Sequence, residues 1–225
     1  MEDGKAMTKL NILYEDNHVI VVEKPANVLS QGDATGDKDL LTMVKEYVKV
    51  KYNKPGNVYI GLVHRLDRPV GGIMVFARSS KAASRLNKEQ LEHGFCKKYM
   101  AVVNGCFDRK RGRFIDKLKK LSDGNTIVSS DGKEAILDYE VVSENKSTNH
   151  SLVKIQLVTG RHHQIRVQFA SRGHALCGDQ RYGKLDKTQL ALFAYELTFT
   201  HPISKEKMTF TLELPKKSYW TEFTM

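Results

Sequence analysis

One carboxylate, Asp67, stands between Arg65 and Arg68 and follows His64 in the segment HRLDR. A nearby guanidinium favours the charged form of a carboxyl, so we expect Asp67 to be ionised and available as a nucleophile or an electrostatic base. The same residues would also suit a solvated ion-pair cluster that closes a turn. The glycine pair at 71–72 permits either a close approach of a ligand to the main chain or a turn.

A second polar group is the segment GRHHQIR, which ends at Arg166. On a helix His162 and Arg166 would share a face, and a helix N-terminus with flanking basic residues suits phosphate. No metal site is predicted, because adjacent histidines point apart on a helix and no HExxH or carboxylate partner accompanies them. For His163 a partly buried ring bonded to backbone is favoured over a proton shuttle. A surface role for Arg166 is less favoured, since a buried carboxylate elsewhere would need such a partner.

Two further segments carry weaker signals. Tyr99 follows two lysines in KKYMAVVNG, and an aromatic ring beside cations can stack an unpaired base while the cations hold its backbone. A tyrosine in a strand is more often half-buried packing. In the glycine-bounded turn GDQRYG, Asp179 and Arg181 could simply pair, so we assign that turn to structure.

Most of the elements that must position these residues are predicted to be strands. Short runs with apolar alternation or continuous β-branched character, bounded by turn residues, recur along the chain. The first two are separated by a turn and predict a hairpin. The predicted strands lie at 10–16, 18–25, 58–64, 72–78, 97–105, 134–144, 150–160, 192–201 and 207–215.

Apolar residues at helical spacing predict three helices. They lie at 39–52, at 81–94 after a cap at Ser79 or Ser80, and in a short segment that ends at Gly173. The basic segment 108–120 is polar and interrupted by glycine, so we expect an exposed excursion able to touch phosphates. Together these elements predict an α+β fold: a mixed, mainly antiparallel sheet with flanking helices and a central basic cleft.

Composition favours a nucleic-acid partner. The 225 residues are 40% hydrophobic, and 36 Lys+Arg against 26 Asp+Glu give a net charge of +10. Such an excess attracts polyanions, whereas no basic amphipathic helix or apolar span suggests a membrane. The cysteines at 96, 106 and 177 form no CxxC pair, which fits a reducing cytoplasm. We expect a cytoplasmic monomer with one catalytic domain over residues 1–225.

Five segments taken together closely resemble the RluA-type pseudouridine synthases over residues 11–214: ILYEDNHVIVVEKPANVL, HRLDRPVGG, KKYMAVVNG, GRHHQIRVQFASRGHALCGDQRYG and LFAYELTFTHP. The resemblance implies the pseudouridine synthase fold, isomerisation of a specific uridine in ribosomal or transfer RNA, extrusion of that nucleotide from its stack, and no metal or redox cofactor. It also implies a catalytic set. Asp67 would attack C1′ or C6, Tyr99 would stack on the base and help to remove the C5 proton, and Arg166 would pair with Asp67.

Several other side chains are expected to bind the substrate. Leu192 matches the apolar residue that packs on the flipped base, Arg65 would support the loop, and Arg68, at the entrance, would contact phosphate. An N-terminal S4-type RNA-binding domain is expected to be missing, so the catalytic domain or a partner would recognise the RNA. The substrate-binding set is His64, Arg65, Arg68, Arg161, His163, Gln164 and Leu192.

The chain departs from the family's usual pattern at four places. Residues 70–72 are Val-Gly-Gly rather than Thr-Ser-Gly, His162 replaces Thr, Gln168 replaces His, and Phe193 replaces the His of LHA. These changes leave the three catalytic candidates in place but leave substrate choice open. Two other functions stay open: a catalytically silent RNA-binding or ribosome-assembly factor, and metal-independent RNA cleavage with His64 and His162 as acid and base.

Overall fold

One mixed sheet is the frame on which the rest of the chain is built. The computed structural model describes residues 10–92 and 94–223. In that part of the chain the strand-like segments form eleven strands of a single sheet. The strands are β1 (Asn11–Glu15), β2 (Val19–Lys24), β3 (Gly61–Leu62), β4 (Gly71–Ala77), β5 (Cys96–Asn104), β6 (Arg111–Lys120), β7 (Thr126–Val128), β8 (Lys133–Asn145), β9 (His150–Leu157), β10 (Leu192–Thr200) and β11 (Lys207–Thr211).

The order of the strands brings distant parts of the sequence together. The main path is β1-β2-β4-β10-β5-β9-β8-β6-β7, with β3 beside β4 and β11 beside β10. Among the described strands, β4 and β10 are the one parallel pair, with Phe193 opposite Gly71 and Ala194 opposite Gly72. The predicted class, an α+β fold with a mixed and mainly antiparallel sheet, is therefore confirmed. The parallel pair also places the loop before β4, which carries Asp67, beside the start of β10.

Three α-helices flank the sheet, and two of them begin at side-chain caps, of which the second was predicted. Asp39 caps the first helix by accepting a hydrogen bond from the N–H of Thr42 at 3.0 Å. Ser79 caps the second by accepting from the N–H of Ala82 at 3.2 Å, which decides between the two candidate serines. Each cap satisfies a backbone donor that has no partner inside its helix. The helices are α1 (Leu40–Lys51), α2 (Ser80–Leu91) and α3 (Gln164–Ala170).

Two helix boundaries differ from the prediction. Helix α2 ends three residues before Gly94, and His93 lies outside the described residues. Helix α3 begins only after His163, whose backbone is left-handed with φ of 52°. The prediction that His162 and Arg166 share a helix face is therefore wrong, because His162 precedes the helix. This turn instead directs the two neighbouring histidines into the site described below.

Strand β6 replaces the exposed excursion predicted for residues 108–120. Phe114 and Leu118 are buried, whereas the odd-numbered residues from 111 to 119, on the other side of the strand, are exposed. Arg113 forms an ion pair with Asp138 of β8 at 2.6 Å. The local sequence misled because the acids that neutralise these cations lie on a strand paired from elsewhere in the chain.

Both faces of the central strands are covered. Along β2, Ile20 and Val22 pack in the cluster that contains α1, whereas Val19 and Val21 pack in the cluster that contains α2. Successive side chains of a strand point to opposite faces, so a continuous apolar run is what a doubly covered strand requires. All seven residues of β4 are buried for the same reason. The loop that carries Asp67 therefore precedes a strand that is buried along its whole length.

Candidate active site

A cleft of 1610 Å³ opens where four segments converge. These are the loop before β4, the first half of β5, the turn that leads into α3, and the start of β10. Every side chain that the sequence nominated for chemistry or substrate binding lines this cleft, although the four segments are far apart in the chain. The ten residues are His64, Arg65, Asp67, Arg68, Tyr99, Arg161, His163, Gln164, Arg166 and Leu192.

Two polar side chains, Ser30 and Lys24, hold the backbone of the loop that carries Asp67. The hydroxyl of Ser30 donates to the carbonyl of Leu66 at 2.7 Å and accepts from its N–H at 3.1 Å. The ammonium of Lys24 donates to the carbonyl of Arg68 at 3.0 Å and to two carbonyls of its own loop. Burial lowers the pKa of Lys24 to about 7, and the nearby Asp67 opposes that shift. These bonds fix the backbone on both sides of Asp67.

The glycine pair lets β4 run directly beside β10. Gly72 has φ of 130°, and a Cβ there would lie 2.3 Å from the carbonyl oxygen of Ala194, so only glycine fits. At Gly71 a Cβ would meet the ring of Phe193 at 3.2 Å. Gly71 and Phe193 are both departures from the family pattern, and they contact each other. A smaller residue on one strand thus accommodates a larger ring on the next.

Arg166 is fixed by a carboxylate that the sequence reading assigned to a turn. Its Nε and Nη2 donate to Asp179 at 2.8 Å each, and both side chains are almost fully buried. Asp179 also accepts from the N–H groups of Arg181 and Tyr182 at 3.0 and 3.1 Å. Burial would raise the pKa of Asp179, but the hydrogen bonds from Arg166 hold it below its usual value. Asp179 is thus paired with Arg166 and not, as its sequence neighbourhood suggested, with the side chain of Arg181.

Asp67 lies on the remaining side of the same guanidinium. Its Oδ2 is 3.4 Å from Nη1 of Arg166 and 3.6 Å from Nε2 of His163. The Asp67 side chain is 29% exposed, whereas that of Asp179 is not exposed at all. One arginine therefore holds a saturated, buried carboxylate on one side and a carboxylate open to the cleft on the other.

The arginines that flank Asp67 in sequence do not pair with it. Nη2 of Arg68 forms an ion pair with Asp37 at 2.6 Å, and Arg65 is exposed and has no ion pair within the described ranges, 10–92 and 94–223. The prediction that these two arginines set the charge of Asp67 is wrong, because successive residues of an extended segment point in different directions. The cation that pairs with Asp67 is Arg166 of α3, and the ring of His163, from the turn before α3, lies beside it.

His163 connects Asp67 to a tyrosine of the GDQRYG turn. Its Nδ1 lies 2.7 Å from the hydroxyl of Tyr182, which accepts from the N–H of Thr126 at 2.9 Å. The partner of the ring is thus a side chain and not the predicted backbone group. Burial lowers the pKa of His163 to about 4, although Asp67 opposes the shift. The ring is neutral at pH 7, and a hydroxyl that donates to Nδ1 leaves the ring proton on Nε2, facing Asp67.

Tyr99 and Leu192 form an apolar wall beside the carboxylate. Both are buried, with 7% and 5% of their surfaces exposed. Burial, together with the charge of Asp67, raises the pKa of Tyr99, so the phenol keeps its proton at neutral pH. A ring and an aliphatic side chain on one wall suit the face of a planar base.

Two nominated side chains use their polar atoms on the protein itself. Nε2 of His64 accepts from the N–H of Val75 at 3.1 Å. The amide oxygen of Gln164 accepts from the hydroxyl of Thr159 and the N–H of Arg161, both at 2.9 Å, and its nitrogen donates to a carbonyl of β8 at 3.0 Å. The structure therefore favours a positioning role for His64 and Gln164 over the substrate contact that we expected from the sequence.

Several cations of the cleft have no acidic partner in residues 10–92 and 94–223. Nε of Arg161 donates to the carbonyl of Glu134 at 2.7 Å, and Nη1 of Arg181 donates to that of Gly124 at 2.9 Å. Carbonyls orient these side chains but leave their charge uncompensated. The cleft thus presents a positive field that attracts a polyanion. The cations of the cleft without an ion pair in these ranges are Arg65, Lys97, Lys120, Arg161, Arg181 and Lys187.

Three kinds of feature are absent from the described part of the chain. No cluster of three or more His, Cys, Asp or Glu side chains is placed to hold a metal ion. None of its helices is both long and apolar enough to cross a bilayer. No disulfide is formed there, because Cys96, Cys106 and Cys177 are free thiols.

A family model described as RNA pseudouridylate synthase matches residues 18–171. That range is more than half of the chain and contains Asp67, Tyr99 and Arg166. The chain belongs to this family. The resemblance inferred from the five sequence segments is therefore confirmed, and with it the enzyme class: an RNA pseudouridine synthase, which isomerises uridine within RNA.

Curated pseudouridine synthases match over most of the chain. The dual-specificity RNA pseudouridine synthase RluA of Haemophilus influenzae is 35% identical over 212 residues, which cover 89% of this chain and 91% of the relative. Ribosomal large subunit pseudouridine synthase D of Zymomonas mobilis is 33% identical over 229 residues, covering 92% of this chain and 70% of the relative. The solved structure of human RNA Pseudouridylate Synthase Domain Containing 4 superposes with a TM-score of 0.78 at 22% identity, over 95% of this chain and 91% of that one. This confirms the pseudouridine synthase fold.

Sequence reasoning missed three residues that shape the pseudouridine synthase site. Lys24 is a charged residue at the end of the apolar run VIVVEK, and a lysine in that position can signal a buried cation with carbonyl partners. Asp179 and Tyr182 were treated as parts of a turn. No local signal links either of them to Arg166 or His163, because the contacts depend on how α3 packs against the loop before β10.

Proposed function

We propose that Asp67 is the nucleophile of this pseudouridine synthase, that Tyr99 and Leu192 hold the uracil, and that Arg166 orients Asp67. One observation carries the proposal: Asp67 lies between a buried cation and an apolar wall, in an open cleft. The two other carboxylates that line the described cleft, Asp33 and Asp123, have no ion pair with Arg166.

The reaction explains why such a site is needed. The N1–C1′ bond must break, the uracil must turn while it is held, and C5 must then bond to C1′. A carboxylate that attacks either C1′ or C6 loosens the base, and both routes use the same position of Asp67. The apolar wall keeps the detached base from leaving and excludes water from the reactive carbon.

Arg166 can orient Asp67 because it is itself immobilised. Two hydrogen bonds to Asp179 lock the plane of the guanidinium and leave Nη1 for Asp67. A nucleophile held by a rigid partner needs less reorganisation in the transition state. The neutral His163 adds a second contact through Nε2 without adding a charge.

The role of Tyr99 is stacking rather than proton removal. The resemblance implies help with the C5 proton, which requires the phenolate as a base. Burial and the neighbouring Asp67 raise the pKa of Tyr99, so the phenolate is scarce at neutral pH. As a neutral phenol, Tyr99 packs on the base, and its hydroxyl can donate a hydrogen bond to the substrate.

The substrate is proposed to be a specific uridine in ribosomal or transfer RNA. Relatives named as ribosomal large subunit and dual-specificity synthases support this class, as do the unpaired cations of the cleft. A uridine inside a stack must be flipped out, at a cost of a few kcal/mol, which phosphate contacts can offset. We further propose that residues 1–225 act as a monomeric cytoplasmic enzyme that recognises RNA through this cleft.

Tritium release from RNA that contains uridine tritiated at C5 tests the proposal. Total RNA from cells that lack the gene is the substrate, and wild type is compared with Asp67→Asn and with Asp138→Asn, a carboxylate paired with an arginine away from the cleft. Removal of a nucleophile lowers turnover at least about 1000-fold. Asp67→Asn should therefore lose release and keep its melting temperature, and Asp138→Asn should retain both.

Two results would contradict the proposal in different ways. Release that persists in Asp67→Asn would remove Asp67 from the role of nucleophile. RNA binding by the wild type without release from any RNA pool would favour the catalytically silent RNA-binding factor. Shortening of the RNA would instead indicate cleavage, because isomerisation leaves the chain length unchanged.

A further inference from the structure

His162 is an exposed ring in the cleft that takes no part in the proposed reaction. It lines the cleft next to the turn of β6 and β7 and follows Arg161. Its contacts fix the orientation of the ring and leave one ring nitrogen, Nε2, available for a ligand.

Two contacts fix the orientation of this ring. It stacks on the ring of His163 with centroids 3.7 Å apart and planes inclined by 28°. Its Nδ1 lies 2.8 Å from the hydroxyl of Thr126, a buried residue at the start of β7. His163 in turn contacts Asp67. The ring of His162 is therefore held on the ring of His163, and His163 lies between it and Asp67.

The second ring nitrogen of His162 is free. No group among residues 10–92 and 94–223 forms a hydrogen bond with its Nε2, and the ring is open to the cleft. Burial within the cleft and the neighbouring cations outweigh Asp67 and lower the pKa of His162. At pH 7 the ring is therefore a neutral group that offers one directed hydrogen bond among cations such as Lys120 and Arg181.

We propose that His162 is a substrate-binding and specificity-determining residue, whose Nε2–H donates a hydrogen bond to an acceptor oxygen of the RNA beside the target uridine, with Thr126 donating to Nδ1. The acceptor is either a phosphate oxygen or a nucleobase carbonyl. This inference rests on the proposed function, because it places the RNA in the same cleft.

Three variants separate this role from a structural one. His162→Phe keeps a stacking ring but removes the donor, and His162→Gln restores an N–H near the position of Nε2. His174→Phe is the matched control, because His174 also stacks on an aromatic ring, Phe107, and bonds through Nδ1, but it does not line the cleft. The readouts are KM and kcat for tritium release, and the Kd for synthetic stem-loops with one loop uridine and varied flanking nucleotides, measured in an Asp67→Asn background.

Loss of one hydrogen bond is expected to raise KM and Kd about five- to tenfold. His162→Phe should show this rise with kcat and the melting temperature unchanged, His162→Gln should recover part of it, and His174→Phe should leave KM and Kd unaltered. An equal rise for all stem-loops would identify a phosphate oxygen, and a rise that depends on the flanking nucleotide would identify a base carbonyl.

A Kd within about twofold of the parent, or a fall in kcat that follows a fall in melting temperature, would overturn the proposal. The outcome is separable from that of the proposed function. If the wild type releases no tritium from any RNA pool, the proposed activity fails, but the Kd values in the Asp67→Asn background still decide whether His162 contacts RNA.

Discussion

Charges on the outer face of strands β6 and β8 are arranged differently from those in the cleft. On the outer face, arginines stand opposite acids across the two strands, as in the pairs of Arg111 with Glu140 and Arg113 with Asp138. In the cleft, cations such as Arg65 and Arg161 have no acidic partner in the described ranges. Both groups are exposed, so exposure alone does not distinguish them.

The difference shows where the net charge of +10 is available to a ligand. A cation paired across strands contributes little field at a distance, because its partner cancels it. Unpaired cations around a concave surface add their fields, and a polyanion that enters replaces the missing acids. Deeper in the cleft the pattern changes again, since the buried ions Arg166 and Lys24 are saturated by Asp179 and by carbonyls.

The largest effect on stability is expected from Asp179→Asn. Removing one partner of a buried ion pair costs about 3–5 kcal/mol, and it leaves Arg166 with only the longer contact to the partly exposed Asp67, at 3.4 Å. Asp138→Asn on the outer face should change the free energy of unfolding little, because exposed pairs contribute little. Urea unfolding measures the free energy of unfolding of both variants. Equal decreases would show that the buried pair stabilises the protein no more than the exposed pair.

The same pair makes a prediction about pH. The folded pKa of Asp179 lies below its usual value, so the pair stabilises the protein above the unfolded pKa, about 4. That stability is lost as pH falls through the folded pKa. Wild type should therefore lose more stability than Asp179→Asn when both are acidified below pH ~4. Parallel losses in urea titrations would contradict the assignment.

Lys24→Met is expected to have an intermediate effect. Methionine fills the space of the buried stem but leaves three carbonyls, including that of Arg68, without their donor. An unsatisfied buried polar group costs about 1–3 kcal/mol, and the loop of Asp67 should loosen, which lowers kcat. Lys119→Met, which breaks an exposed pair with Asp131, is the control. A Lys24→Met variant as stable and active as wild type would show that the lysine does not support the loop.

The smallest effect is expected from single cations of the cleft. Arg161→Gln should weaken RNA binding a few-fold and reduce the slope of log K against log salt by about 1, because one phosphate contact is lost. Arg113→Gln has the same chemistry on the outer face and should leave the slope unchanged. Filter binding over a range of salt concentrations checks both, and equal slopes for the two variants would show that paired and unpaired cations are equivalent.

Much of the architecture follows from local patterns. The apolar spacing of α1 and the capping serine of α2 indicate where these helices begin, and the apolar runs of β2 and β4 predict strands. The motif segments were sufficient to identify the family, and they nominated ten residues that all line one cleft. Each of these signals lies within a few residues in sequence.

The partners of charged groups did not follow from local patterns. The sequence suggested that Arg65 and Arg68 act on Asp67, whereas the fold pairs Arg68 with Asp37 and presents Arg166 to Asp67. The exposure of the basic residues of β6 follows from the sequence, but their pairing with the acids of β8 does not, because those acids are distant in sequence.

Residue types and short-range spacing thus identify the chemistry that this chain can perform, because a nucleophile, an aromatic ring and a strand period are local properties. Which charge is neutralised, which carboxylate stays open and which ring reaches the substrate are decided by the packing of β4 against β10 and of α3 against the loop before β10. Coulombic and hydrogen-bond energies depend on distances in space, and those distances exist only once segments far apart in the sequence have come together.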